Sequence, residues 1–165
     1  APEPAASAPE PAASAPEPVA PPPEPPASAP PLVEIPEGAL ERQDMSFLEG
    51  AWNYGGTLSV YNNDPKKPTG SMRMVLRFDG KGGGTVRGTE RMDRGRSVPD
   101  CQGRLHSRTD GRKLYITEDD CRLPDGRKAV GGSRLECERN ADGKTLCYGV
   151  NSDGHRWSTE LRKIQ

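Results

Sequence analysis

The sequence predicts an all-β fold: about eight short antiparallel strands in an up-and-down barrel, behind a disordered proline-rich stalk. Three observations carry this. Two stretches, 51–60 and 72–78, alternate apolar and polar residues with a two-residue period, the mark of a strand with one face in a core. Asp-Gly pairs stand at 79–80, 110–111, 125–126, 142–143 and 153–154, and each supplies the positive φ of a tight hairpin turn. All 19 glycines follow Pro36, and long runs at helical period are missing.

The 165-residue chain divides unevenly. Residues 1–36 hold 14 of its 18 prolines, five glutamates and neither lysine nor arginine. Residues 1–28 read as four seven-residue units, APEPAAS, APEPAAS, APEPVAP and PPEPPAS. Such a segment favours polyproline II at ~3.1 Å per residue, a spacer with a reach on the order of 100 Å. Pro22 and Pro25 give the P-x-x-P spacing of a proline-groove ligand, but at this proline content chance supplies such matches. The start at Ala1, without methionine, basic n-region or apolar h-region, suits an excised piece or a mature form. Residues 37–165 make one domain with 23 basic and 19 acidic residues, a net charge of +4. No stretch approaches the ~18 consecutive apolar residues of a membrane span.

Leu40 to Leu48 is short enough for one or two helical turns, with Leu40, Phe47 and Leu48 available to plug a core. In the first strand Trp52, Tyr54, Leu58 and Val60 face inward; in the second Met72, Met74, Leu76 and Phe78 alternate with Arg73 and Arg77. Further strands are expected near 84–90, 101–108, 112–118, 129–139, 144–150 and 155–163. The stretch from Arg91 to Asp100 lacks an Asp-Gly turn and reads as one long loop, with Arg91, Arg94 and Arg96 as a candidate anion- or partner-binding patch.

Cys101, Cys121, Cys137 and Cys147 all lie in the second half. An even number in a domain with few large apolar residues points to an oxidising compartment and two disulfides. Cys101–Cys121 and Cys137–Cys147 each close a hairpin around an Asp-Gly turn, each worth about 2–4 kcal/mol. The second pairing strains the strand pattern: if Leu146, Tyr148 and Val150 face the core with Leu135 and Cys137, Cys147 points outward. Zinc is disfavoured because no C-x-x-C spacing occurs.

Other constellations carry little chemistry. Gly143-Lys144-Thr145 ends like a phosphate loop, but Glu138 stands where the first glycine belongs. Gly80-Lys81-Gly82-Gly83-Gly84 lacks a following helix and fails the dinucleotide fingerprint at Thr85. His106 and His155 have no nucleophile motif nearby. Glu118, Asp119 and Asp120 read as a solvated turn rather than a calcium loop. Glu118 with Glu136 or Glu160 would be the carboxylate pair of a glycosidase, though nothing singles them out. The 16 arginines are interleaved with acids, without the basic stripe and stacking aromatics of a nucleic-acid surface.

Two resemblances add to this. Gly50-Ala51-Trp52, after a short helical turn and answered by Arg162 on the last strand, resembles the signature of lipocalin-like and related calycin barrels. That resemblance implies that Trp52 closes one barrel end under the Arg162 cation, a contact of ~0.5–2 kcal/mol. The run Ser46-Phe47-Leu48-Glu49-Gly50-Ala51-Trp52, with Thr69-Gly70, Arg77-Phe78-Asp79-Gly80, the four cysteine segments and a final strand from Trp157 to Arg162, resembles the C-terminal domain of SrfA-like bacterial virulence-associated proteins. This second resemblance covers nearly all of the folded part. It implies a domain beyond a Pro/Ala-rich linker and an extracytoplasmic location, in the periplasm or on the surface of a Gram-negative bacterium. It also implies cysteines where Ala51 and Arg77 stand here, so this chain would lack a third disulfide between the first two strands.

The expected function is a non-catalytic interaction or structural domain of an envelope-associated protein, with an envelope or extracellular protein, an anionic glycan or a lipid head group as partner. No enzyme activity, cofactor, metal or nucleic acid is expected. The alternatives are a calycin-type barrel holding a small molecule or lipid, and a secreted enzyme inhibitor. A cavity lined by Trp52, Tyr54, Leu58, Met72, Met74, Leu76, Phe78 and Tyr148 would favour the ligand binder. A filled interior with an exposed patch near Arg91 to Arg96 or Tyr61 would favour the interaction domain.

Overall fold

In this computed structural model the described residues are 34–61, 64, 66–139, 141 and 145–164. The repeats of the expected stalk and the Asp142-Gly143 turn lie outside them. The described chain is all-β: a 3-10 turn, Ser46–Leu48, precedes thirteen strand segments and there is no α-helix. The segments are β1 (Gly50–Asn53), β2 (Leu58–Val60), β3 (Gly70–Phe78), β4 (Gly83–Asp93), β5 (Arg96–Val98), β6 (Cys101–Thr109) and β7 (Leu114–Glu118), followed by β8 (Cys121–Arg122), β9 (Lys128–Val130), β10 (Ser133–Arg139), β11 (Thr145–Asn151), β12 (Arg156–Thr159) and β13 (Arg162–Ile164).

They form one curled antiparallel sheet, a half-barrel, in the order β12-β11-β10-β7-β6-β4-β3-β1-β13, with β2 on β3, β5 on β4, and the β8–β9 hairpin on β6. The two ends of this path, β12 and β13, are successive stretches of chain separated only by Glu160 and Leu161.

The excess over eight strands has local causes. The expected run 51–60 breaks because the Asn53 Oδ1 accepts the Gly55 N–H at 2.9 Å and Gly55 takes φ 75°, turning the chain between β1 and β2. The runs 129–139 and 155–163 each split once, between β9 and β10 and between β12 and β13. β8 continues the chain beyond β7. The Arg91 to Asp100 stretch is a hairpin rather than a loop: β4 runs on to Asp93 and turns through Arg94 (φ 50°) and Gly95 (φ 73°) into β5, with Arg91 opposite Val98. A turn of two positive-φ residues needs no Asp-Gly, so the pair search missed it. Among the described Asp-Gly turns, Gly80, Gly111, Gly126 and Gly154 all have positive φ, as predicted.

The alternation of β3 is as read: Met72, Met74, Leu76 and Phe78 are buried while Arg73 and Arg77 are exposed. They join Val86, Leu105, Leu114, Ile116 and Leu135 in one core. Burying each large aliphatic side chain contributes about 1.5–3 kcal/mol. The segment before β1 covers one end of this core. Ile35, Ala39, Leu40, Met45 and Leu48 are all buried, and Thr109 of β6 donates to the Leu40 carbonyl. Ile35, which precedes the expected domain start at residue 37, thus belongs to the core.

Both expected disulfides are present, and no described cysteine is free. Cys137 lies directly opposite Cys147 in the β10–β11 ladder. The strain noted in the sequence resolves by inverting one strand: Thr145, Cys147 and Gly149 of β11 face inward, whereas Tyr148 and Val150 are 54% and 41% exposed. Gly149 cannot take a side chain there. A Cβ would stand 2.3 Å from the Trp157 indole on β12.

Candidate functional site

The end of the sheet opposite the N-terminal segment is organised around a buried carboxyl group. Glu118 closes β7, opposite Leu105 of β6 and Ser133 of β10, with its side chain among theirs on the inner face. The turn at Gly55 leaves Tyr54 just beyond β1, and its hydroxyl donates to Glu118 Oε1. Ser133 Oγ donates to Oε2 at 2.7 Å. Burial pushes the Glu118 carboxyl up to about 7, against a smaller pull downward from the Ser133 hydroxyl.

The tyrosine extends this network across the seam of the sheet. The ladder pairs β12 with β11 and β1 with β13, and side chains bridge β12 to the end of β1. Thr159 Oγ1 donates to the Tyr54 carbonyl at 3.3 Å, and the Tyr54 ring meets Trp157 edge-on, 5.3 Å between centroids. Trp157 Nε1 in turn donates to Asn151 Oδ1 at 2.7 Å. Five strand ends, those of β1, β7, β10, β11 and β12, are thus held by one polar and aromatic network.

A groove of about 1660 Å³ opens beside Glu118 and Ser133. It runs over the outward face of β4, β6, β7, β10 and β11 and beneath the β8–β9 hairpin, where Leu123 and Pro124 form part of its wall. Arg87 is paired with Asp100 at 2.8 Å and Arg122 with Asp120 at 3.1 Å. Arg104 and Arg134 also line it, exposed, their side chains without a hydrogen bond or ion pair among the described residues. None of the eight side chains named above as a candidate ligand cavity lines this groove. Of those eight, Trp52, Met72, Met74, Leu76 and Phe78 are at most 5% exposed, within the core.

The other residues singled out in the sequence fall in different places. Trp52 is buried, with Nε1 donating to the Leu48 carbonyl at 2.6 Å, and the cation over its ring is Lys163, 5.4 Å from the centroid. Lys163 is the ladder partner of Trp52, whereas Arg162 lies opposite Asn53 and pairs with Glu160. The cation expected from Arg162 is therefore supplied by its neighbour Lys163, because the strand register sets Lys163 opposite the tryptophan. Arg91, Arg94 and Arg96 do not form one exposed cluster. Arg94 and Arg96 are exposed at the β4–β5 turn, but Arg91 is 7% exposed and donates inward to the Pro99 carbonyl at 3.0 Å.

The carboxylate pairs considered for acid/base work are not assembled. Glu136 binds Lys113 and Glu160 binds Arg162 on the surface, while the partners of Glu118 are a tyrosine and a serine. Of the three acids once considered for calcium, Glu118 is buried, Asp119 lies 3.8 Å from His106, and Asp120 is engaged by Arg122 and by the Gly132 N–H. His155 is exposed next to the Asp153-Gly154 turn. The Tyr54–Glu118–Ser133 network was missed because its three members are far apart in sequence. The one available signal was an acid at an inward position of a strand.

Comparison with known proteins finds no matching family model, no matching curated protein and no matching solved structure.

Proposed function

We propose that the chain is a non-catalytic interaction domain of an extracytoplasmic, envelope-associated bacterial protein, carried on its proline-rich N-terminal segment. The observation behind this reading is the division of labour between the two faces of the sheet. The inward face is occupied by core side chains, whereas the outward face carries a large groove, two arginines whose side chains have no partner among the described residues, and the exposed Tyr148 and Val150. Two disulfides suit an oxidising compartment, and among the described residues no helix is long and apolar enough to cross a membrane.

The resemblance to the SrfA-like C-terminal domain gains support from one register. Ala51 and Arg77, where that resemblance implies cysteines, are direct partners in the β1–β3 ladder, as a cross-strand disulfide between them requires. Replacing both with cysteine should give a third bridge on air oxidation, read as the loss of two reactive thiols.

A calycin-type closed barrel that holds a small molecule or lipid is the second reading. It is favoured by the 3-10 turn before Gly50-Ala51-Trp52, by the Lys163 cation over Trp52, and by the way the last stretch of chain supplies both ends of the sheet. Native mass spectrometry of the full chain, beside cross-linked capture from envelope extracts, separates the two. A saturable protein partner lost on mutation of outward-face residues supports the interaction domain. A stoichiometric co-purifying small molecule and no partner overturns it.

A further inference from the structure

The groove beneath the β8–β9 hairpin contains a mixture of groups with a specific chemical meaning. Its volume, about 1660 Å³, exceeds the ~300–1,000 Å³ of common small-molecule pockets, and it lies along the sheet surface rather than within the core. It therefore suits a segment of a longer chain. Two of its four arginines are neutralised inside it by Asp100 and Asp120. The surplus guanidinium groups are Arg104 on β6 and Arg134 on β10.

The ladder fixes how these two stand. Arg134 is opposite Thr117 of β7, and the carbonyl of Arg104 accepts the Asp119 N–H from the other side. Two strand steps sideways and two residues along place their Cα atoms about 12 Å apart. Thr117 and Asp119 lie between them, with Val150 and Asn151 beyond Arg134.

Arginine forks match carboxylates and sulfates. Aspartates beside them would repel a densely charged phosphate polymer or an acidic peptide, but they accept hydrogen bonds from hydroxyl groups. A ligand that meets both conditions carries acid groups at intervals and many hydroxyls between. We propose that this groove binds an anionic polysaccharide, with Arg104 and Arg134 taking successive acid groups and Thr117, Asp119 and Asn151 meeting the sugar hydroxyls. This assignment rests on the interaction-domain reading and names its ligand class. It also moves the anion site away from the β4–β5 turn, where Arg91 is buried.

The test titrates the full chain, by calorimetry at low and physiological salt, with polygalacturonate, with uncharged dextran, with poly-glutamate and with anionic phospholipid vesicles. The expected result is binding to polygalacturonate that weakens with salt, exceeds binding to poly-glutamate, and falls about tenfold or more in Arg104→Gln/Arg134→Gln. Both arginines are exposed, so the double variant should retain its unfolding midpoint, and Arg94→Gln/Arg96→Gln should bind as the parent does. Equal or tighter binding of poly-glutamate or of the vesicles would replace the glycan with an acidic polypeptide or a lipid surface. Dextran binding alone, or full binding by the double variant, would overturn the assignment of the arginines. Binding of none of the four overturns the glycan proposal by itself, because partner capture from envelope extracts decides the interaction reading independently.

Discussion

The two ends of the curled sheet are closed by opposite means. At one end Ile35, Ala39, Leu40, Met45 and Leu48 fold back over the core, and the contact is almost entirely apolar. At the other, Glu118, Tyr54 and Ser133 meet beneath Trp157 in a network with a titratable group at its centre. Each end also has its own disulfide. Cys137–Cys147 lies on the side of Leu114 and the Leu40 contact, and Cys101–Cys121 lies beside Asp119 and Asp120. The covalent staples are alike, so any difference in behaviour must come from the side chains that fill each end. Apolar burial gives stability that scarcely responds to pH, whereas a buried carboxyl makes folding compete with ionisation.

Several substitutions sharpen this contrast. Leu48→Ala should cost the most, about 2–5 kcal/mol, because its side chain is fully buried beneath the N-terminal segment and the cavity cannot collapse freely. Chemical denaturation measures this directly. Replacing either cysteine pair with serine should cost about 2–4 kcal/mol at each end, with the longer Cys101–Cys121 loop losing slightly more. A much larger loss at one end would show that the staples are not equivalent. Lys163→Met should lower stability by only about 0.5–1 kcal/mol, since Lys163 is exposed and contributes through the Trp52 ring. The smallest effect belongs to Tyr148→Ser, within about 0.5 kcal/mol, because the side chain stands in solvent. A loss above about 2 kcal/mol would return Tyr148 to the core, where the sequence pattern had placed it.

The N-terminal end was the more legible of the two. Leu40 and Leu48 as plugs, the inward set of β3, and the Cys137–Cys147 bridge follow from short-range pattern: a two-residue period, a turn pair, a cysteine on each side of it, and at the far end only the Cys101–Cys121 bridge was as plain. β11 shows where that logic gives out. Leu146, Tyr148 and Val150 are the more apolar alternate set, yet the inward positions go to Thr145, Cys147 and Gly149. The Cys137 partnership and the space taken by the Trp157 indole decide the face, and both are properties of neighbouring strands. The same holds for Arg91, drawn inward by the Pro99 carbonyl across a hairpin that the Asp-Gly search did not mark. The rim network was the least legible, because Tyr54 and Glu118 meet only once the sheet has curled.

The most direct test of the contrast is the unfolding free energy of the parent chain and of Glu118→Gln, measured by denaturant from about pH 4.5 to pH 8. The folded carboxyl titrates near 7 instead of 4.5, so between these values the folded state retains a proton that the unfolded state has lost. Stability of the parent should therefore fall as pH rises through this window, by up to about 3 kcal/mol, and level off above it. The glutamine variant can accept one of the two hydroxyls through its amide oxygen and donate to the other through its amide nitrogen, and it should not show this fall. Parallel curves for the two proteins would contradict the account, and would mean that the Glu118 end of the sheet is no more sensitive to protons than the apolar end.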